Sequence, residues 1–420
     1  MPAPYLNKSF YVALLSGVVL AGVSGTTHAA GFYIQEQSVR GLGYAFAGST
    51  TNLGDASTIY FNPAGMTKLA GTQAQAGVNL LIPSSKLTDT GSTLSGAPIT
   101  SSGNGGNPYD PTPVPNGFFS HELGSGFWVG VGVTAPFGLA NEYNDNWFGR
   151  YDSTKTELTA IDIQPTIAYQ VNDMLSVGVG LNIQHADADL RSAVTNGVTE
   201  GESRLTGDDW GFGYTIGVQA KPFERTTLGV SYRSEIHYQL DGKLDIAGVA
   251  GLNESSGASA NLNLPDQLAL GMTHQCTDRL SMSAQATWFG WNNFEKIQAI
   301  RDVGTIASTV TQNYQTTWAF AVGGEYMLND AWTLRAGIQY DETPTTDEYR
   351  TSRTPDGDRT WVSTGATWGL TDKIDLDLAA TYIHISEETI DVRRNANLAR
   401  VRADTEGHVG ILALGMTYKF

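Results

Sequence analysis

Apolar and polar residues alternate along much of the chain with a period of two. Trp332, Leu334, Ala336, Ile338 and Tyr340 fall on one side of an extended strand, and Thr333, Arg335, Gly337, Gln339 and Asp341 on the other. Trp210, Phe212, Tyr214, Ile216 and Val218 alternate with Gly211, Gly213, Thr215, Gly217 and Gln219. Met282, Ala284, Ala286 and Trp288 alternate with Ser281, Ser283, Gln285 and Thr287. Successive side chains of a strand point to opposite faces, so each stretch predicts a strand with one apolar face.

The strands are punctuated regularly. Short polar turns stand at residues 121–125, 171–173, 222–225, 276–279, 328–330 and 371–373. Long polar connections are expected at residues 83–115, 136–155, 191–206, 246–260, 291–313, 343–358 and 389–405. Short and long connections alternate strictly, the habit of an up-and-down outer-membrane barrel with short periplasmic turns and long external loops. Six turns and seven loops predict 14 antiparallel strands, the apolar face toward lipid and the polar or glycine face toward the lumen. A soluble sandwich would also alternate, but it would not explain the strict succession of short and long.

Both ends of the chain bear on the reading. Lys8 followed by the apolar run Phe10–Val23 and by Thr27 and Ala29 reads as a signal peptide, residues 1–29. That run is shorter than the ~20 apolar residues that span a bilayer. At the other end Leu412, Leu414, Met416, Tyr418 and Phe420 occupy every second position. A strand ending in an aromatic residue is also the form in which barrels are handed to the barrel-assembly machinery, the first expected partner.

Composition narrows the class further. No segment after the signal approaches 18 uninterrupted apolar residues, yet the chain carries 48 glycines, 10% aromatic residues and only 16% charged ones. One cysteine, Cys276, excludes an internal disulfide, a CxxC redox pair and a cysteine-rich zinc site. Loss of the signal removes only Lys8 among the charged residues, leaving 24 basic against 42 acidic, a net charge of −18. That balance argues against nucleic acid as a partner. Outer-membrane lipid and lipopolysaccharide are expected neighbours, and a monomer is the expected state.

Residues 30–71 differ from the rest: they are rich in Gly and Ala and lack the period of two. They are too few for a stable separate core and are expected to form a hatch within the barrel, residues 72–420. Here Gly31-Phe32-Tyr33, Gly41-Leu42-Gly43-Tyr44-Ala45 and the run Asp55–Met66, with Asn62-Pro63-Ala64 at its heart, resemble the hatch of the FadL family of long-chain fatty acid transporters. Trp210–Gly213, Tyr232–Glu235, Leu262–Pro265 and Pro355 to Arg359 extend the likeness over the whole mature chain.

The resemblance implies passive uptake of long-chain fatty acids across the bacterial outer membrane. Ligand is captured among the external loops, bound in a hydrophobic pocket beside the hatch and released sideways through a gap at a kinked strand. It implies a gating role for Asn62, Pro63 and Ala64, and for Phe32, which corresponds to a residue reaching into the ligand pocket. Independently, Asn62 bonds locally and Pro63 fixes φ, which favours a rigid turn. Pro136, with Gly130 and Gly132 before it, makes the strand Phe127–Ala135 a candidate for the lateral opening, because proline donates nothing to a ladder and glycine loosens it.

A fatty acid carboxylate in an apolar pocket needs a cation or several donors. Arg233, Arg335, Arg359 and Arg191 are the candidates, each also able to serve in an ion pair. Where the family's lysine is expected, before Tyr314, stand Thr311 and Gln312. Uptake of neutral compounds such as monoaromatic hydrocarbons therefore stays open. No catalytic constellation, metal site or cofactor motif is present: His121-Glu122 lacks a second histidine, and Gly41-Leu42-Gly43 lacks the third glycine of a dinucleotide loop. A barrel-embedded lipid hydrolase and a general porin are the rival classes.

Overall fold

The computed structural model describes residues 31–420; the signal peptide expected at residues 1–29 lies outside the described residues. Two helical turns, α1 (Val39–Leu42) and α2 (Thr58–Phe61), and a 3-10 helix (Pro63–Lys68) precede the strands. These are β1 (Thr72–Asp89), β2 (Thr93–Leu94), β3 (Ala97–Pro98), β4 (Thr112–Gly124), β5 (Phe127–Glu142), β6 (Lys155–Asn172) and β7 (Leu175–Thr195). There follow β8 (Glu200–Phe223), β9 (Thr226–Arg233), β10 (Ile236–Ala247), β11 (Glu254–Leu264), β12 (Gln267–Gln275), β13 (Leu280–Phe289) and β14 (Lys296–Arg301). The last are β15 (Ile306–Thr311), β16 (Thr317–Met327), β17 (Trp332–Asp341), β18 (Arg359–Thr371), β19 (Ile374–Arg394) and β20 (Ala399–Lys419).

Fourteen of these strands close an antiparallel barrel, in the order β1, β4, β5, β6, β7, β8, β9, β12, β13, β16, β17, β18, β19, β20 and back to β1. The closing ladder runs from Gln73↔Lys419 to Asp89↔Ala403, and the Phe420 N–H donates to the Thr72 carbonyl at 3.0 Å. The C-terminal alternation thus serves the seam. Closure leaves no sheet edge in the hydrocarbon, the condition a membrane barrel must meet. Leu334, Ile338, Phe212, Ile216, Leu412 and Leu414 are exposed on the outer face, whereas Arg335, Gln339, Thr215 and Gln219 are buried on the inner one.

The remaining strands form hairpins outside the ring: β2–β3, β10–β11 and β14–β15. The long connections are therefore more ordered than expected. Residues 191–206 contain a turn of only four residues between β7 and β8, and the stretch at 389–405 is likewise mostly strand. Toward the β7–β8 turn the outward positions become polar, as at Asp187, Asp208 and Arg204, while Leu190 and Leu205 face a cavity inside.

Residues 31–69 lie against inward faces of the barrel strands. Arg40 reaches Asp377 of β19 at 3.1 Å and Asp55 at 3.4 Å, all three buried. Inward-facing glycines give the segment room: a Cβ at Gly337 would collide with the Tyr44 carbonyl, and one at Gly217 with Asn62 Oδ1.

Candidate functional site

β5 starts as a regular partner of β4, with Phe127 opposite Gly124 and Val133 opposite Gly117. There the ladder stops. Ala135 and Pro136 form a bulge against β6, between the pairs Thr134↔Asp162 and Phe137↔Ala160. Beyond it, β5 remains bonded to β6, whereas Thr112–Asn116 of β4 pair only with β1. Pro113 and Pro115 in β4 and Pro136 in β5 have no N–H to leave unpaired where the strands part.

The N-terminal segment takes up the freed edge of β5. Tyr33 forms an antiparallel bridge with Phe137; the Ile34 N–H donates to the Pro136 carbonyl at 2.8 Å and the Gly138 N–H to the Phe32 carbonyl at 3.0 Å. Gln37 completes the edge: its amide nitrogen donates to the Ala135 carbonyl at 2.8 Å and its oxygen accepts from the Ala135 N–H at 3.1 Å. Gly130 and Gly132 lie below the break, in the part of β5 still paired with β4, where the close approach of Ile59 and Phe118 leaves little room for a side chain.

Two cavities meet at Phe32. The larger, about 470 Å³, is lined by Phe32, Glu36, Arg359 and Ile383 from the interior and by Val133 and Ile161, which are exposed on the outer face. It therefore passes through the wall at the break between β4 and β5. The smaller is a narrow cleft of about 70 Å³ with an apolar lining that includes Leu158, Leu190, Leu205, Leu240, Leu262 and Phe294. Phe32, Leu139, Leu158 and Thr354 line both. The Phe32 ring packs on Trp291, Phe294 and Phe137 at centroid distances of 4.9, 5.4 and 6.2 Å. The Phe32 ring thus stands where an apolar cleft meets a cavity that reaches the outer face of the barrel.

The chain matches the family model described as outer membrane protein transport protein (OMPP1/FadL/TodX) over residues 20–420. It belongs to this family. A long-chain fatty acid transport protein of Escherichia coli is 26% identical over 451 residues, 99% of this chain and 100% of that protein. The 47 kDa outer membrane protein of Pasteurella multocida is 30% identical over 414 residues, 91% of this chain and 94% of that one. The crystal structure of a Pseudomonas aeruginosa FadL homologue superposes with a TM-score of 0.89 at 26% identity, covering 93% of this chain and 100% of that chain. The toluene transporter TodX of Pseudomonas putida shares the fold at 16% identity, with a TM-score of 0.69 over 94% of this chain and 100% of that chain. The protein is thus an outer-membrane transporter of the FadL family, whose members carry hydrophobic compounds.

In this FadL-family barrel the candidate arginines are widely separated. Arg233 is buried, with Asp162 at 3.0 Å, Gln164 at 2.8 Å and the Tyr60 carbonyl at 3.1 Å, and its guanidinium lies over the Tyr60 ring. Arg335 pairs with Glu325 at 2.6 Å and lines neither cavity at Phe32. Arg191 is turned outward, opposite in sense to Leu190, and pairs with Asp189 at 2.8 Å. Arg359 alone of the four lines the larger cavity; it holds Asp356 at 2.8 Å and donates to the Gly31 carbonyl at 3.1 Å.

The cleft carries a different cation, Arg353, with Gln312 also in its lining. Arg353 donates to the Lys155 and Arg191 carbonyls and to the Thr156 hydroxyl at 3.1–3.2 Å, and forms no ion pair among the described residues. Its enclosed setting pushes the guanidinium down to about 10, an effect that Asp152 only partly opposes. Asp152 is itself engaged by Arg394 at 2.7 Å and by the Ser352 N–H and hydroxyl at 2.6 and 2.7 Å. Burial would raise the Asp152 carboxyl, but Arg394, Arg353 and the Ser352 bonds outweigh it and hold it below the usual range. Nothing in the sequence singles out Arg353, because the carboxylate that might have neutralised it is some 200 positions away and committed elsewhere.

Asn62, Pro63 and Ala64 sit at the start of the 3-10 helix. Asn62 caps it by accepting from the Ala64 N–H at 3.1 Å, and its amide nitrogen donates to the carbonyls of Thr50, Val218 and Val230 at 2.9, 3.1 and 3.3 Å. One side chain thus ties two parts of the N-terminal segment to β8 and the adjoining β9.

Proposed function

We propose that the protein takes up long-chain fatty acids passively, the alkyl chain entering the cleft, displacing Phe32 and leaving through the break between β4 and β5. Residues 31–71 act in this reading as the hatch. The observation that carries it is that Phe32 forms a wall of both cavities. Its backbone is also bonded to Gly138, just past the β5 bulge. Movement of one aromatic residue therefore joins capture to exit without opening the barrel from end to end. Asn62 and the Arg40–Asp377 pair keep the rest of the hatch in place. Relatives named as long-chain fatty acid transport proteins align over almost the whole chain, which supports the substrate class.

The test is uptake of labelled oleate by cells lacking their own transporter and carrying this chain or its Leu205→Trp or Leu262→Trp variant. Each indole fills part of the cleft, and uptake is expected to fall at least tenfold while the folded barrel reaches the outer membrane in normal amount. Undiminished uptake would remove the cleft from the pathway.

A second reading rests on the seat of Phe32 itself. Trp291, Phe294 and Phe137 already enclose a benzene ring edge to face, the preferred geometry of aromatic pairs. A monoaromatic hydrocarbon would find the same surroundings once Phe32 moved out. Competition of toluene with oleate for the purified barrel separates the two readings.

A further inference from the structure

Most cations in and around the lumen are matched. Arg40, Arg233, Arg335, Arg350 and Arg359 each hold a carboxylate within 3.2 Å. Arg353 departs from that rule while lining a predominantly apolar cleft. Its bonded partners are carbonyl and hydroxyl oxygens, all neutral acceptors. A guanidinium in an enclosed setting without a counter-ion is costly, and its rigid fork of donors fits a carboxylate in two-point contact. The Gln312 side chain, buried in the same lining, has no hydrogen-bond partner among the described residues. The cleft therefore offers one unmatched charge and one unused amide to whatever enters it.

We propose that Arg353 is the carboxylate receptor of the cleft and makes this transporter selective for ionised fatty acids over neutral lipids of the same chain length. The β17–β18 connection supplies this cation. An entering carboxylate pairs with Arg353 while its alkyl chain lies along Leu190, Leu205, Leu240 and Leu262. The acid is bound without a net charge being left in an apolar place. A neutral alcohol or hydrocarbon gains only the apolar contacts and leaves the guanidinium uncompensated. The inference rests on the reading of the cleft as the capture site.

The experiment compares binding of oleate and oleyl alcohol to the purified, detergent-solubilised full barrel and to its Arg353→Gln and Arg353→Lys variants. Arg353→Gln is expected to weaken oleate by about 10- to 100-fold, the loss of a charge-assisted contact, and to leave oleyl alcohol within twofold. Arg353→Lys keeps the charge without the fork and should recover part of the oleate affinity. Unchanged alcohol binding shows that the variant is folded. If oleate and the alcohol weaken together, or oleate does not weaken, Arg353 is not the receptor although the cleft still binds. If the native barrel binds neither ligand, the capture reading fails, and this inference fails with it.

Discussion

Tyr33 pairs with Phe137 as an isolated antiparallel bridge, flanked by the bonds from Ile34 to Pro136 and from Gly138 to Phe32. Those flanking bonds make it a non-hydrogen-bonded pair, whose Cα atoms stand ~4.5 Å apart, within disulfide range. Tyr33→Cys with Phe137→Cys, in a Cys276→Ser background, should therefore form a cross-link fastening the N-terminal segment to β5. Oleate uptake is expected to stop under oxidising conditions and to return with reductant. Transport by the fully cross-linked form would show that Phe32 need not leave β5.

Asn62 spends its whole amide on backbone: one accepted bond from Ala64 and donated bonds to Thr50, Val218 and Val230. Truncation removes these bonds at a cost of about 1–3 kcal/mol to the local structure, although the Thr50 carbonyl keeps a second donor in Gln219. Asn62→Ala should accelerate hydrogen exchange across residues 58–69 while the barrel strands stay protected. Gly217→Ala should reproduce the effect from the other side, since its Cβ would occupy the place of Asn62 Oδ1. If neither variant raises exchange, Asn62 does not hold the N-terminal segment.

Phe32→Ala removes the wedge between the cleft and the larger cavity while leaving the backbone bonds of Phe32 intact. The loss of a buried aromatic side chain costs ~3–5 kcal/mol of local packing. Oleate should dissociate faster from the purified barrel, by roughly tenfold, because the chain no longer has to displace a ring to reach the exit. An unchanged dissociation rate would place the barrier elsewhere.

The strand count, the lipid-facing residues and the lack of strand alternation before β1 were legible because each rests on a one-dimensional pattern. Trp332 to Asp341 alternates in sequence and in space alike. What misled was polarity. Toward the β7–β8 turn the outward residues become polar, so residues 191–206 read as loop although β7 runs to Thr195 and β8 begins at Glu200. The alternation had not ended but changed sign, apolar Leu190 and Leu205 facing inward beside polar Asp189, Arg191 and Arg204. That reversal coincides with the start of the cleft.

The break in the β5 ladder at Pro136 was legible because it depends on backbone, whereas the allocation of charge was not. Pro136 lies at the break in the wall because a missing donor has the same consequence in any barrel. Gly130 and Gly132, singled out with it, lie in the paired part of the strand and make room for Ile59 and Phe118. Which arginine is unmatched depends on carboxylates contributed by distant strands. Asp162 matches Arg233, Glu325 matches Arg335, and Arg394 takes the carboxylate nearest in effect to Arg353. No spacing along the chain encodes that allocation.

Glu36 is expected to make the N-terminal segment sensitive to pH. Burial raises its carboxyl to about 7, against the opposing effects of its own backbone N–H bonds and of Arg359. The charged groups around it are Arg359 with Asp356 and Asp341, while Asn79 donates to its carbonyl at 2.7 Å. A carboxyl whose folded value lies above its unfolded one binds more protons when folded. The stability linked to it is fully present below about 4.5 and is lost as pH rises through about 7, by about 3 kcal/mol at most. The apparent Tm of the purified barrel should therefore fall between pH 5 and pH 8, and Glu36→Gln, which cannot ionise, should flatten that fall. Hydrogen exchange should locate the difference at residues 31–40, where Glu36 sits, and not in the barrel strands. Equal slopes for the native barrel and Glu36→Gln would mean that Glu36 stays ionised throughout, held by Arg359 more strongly than its burial opposes.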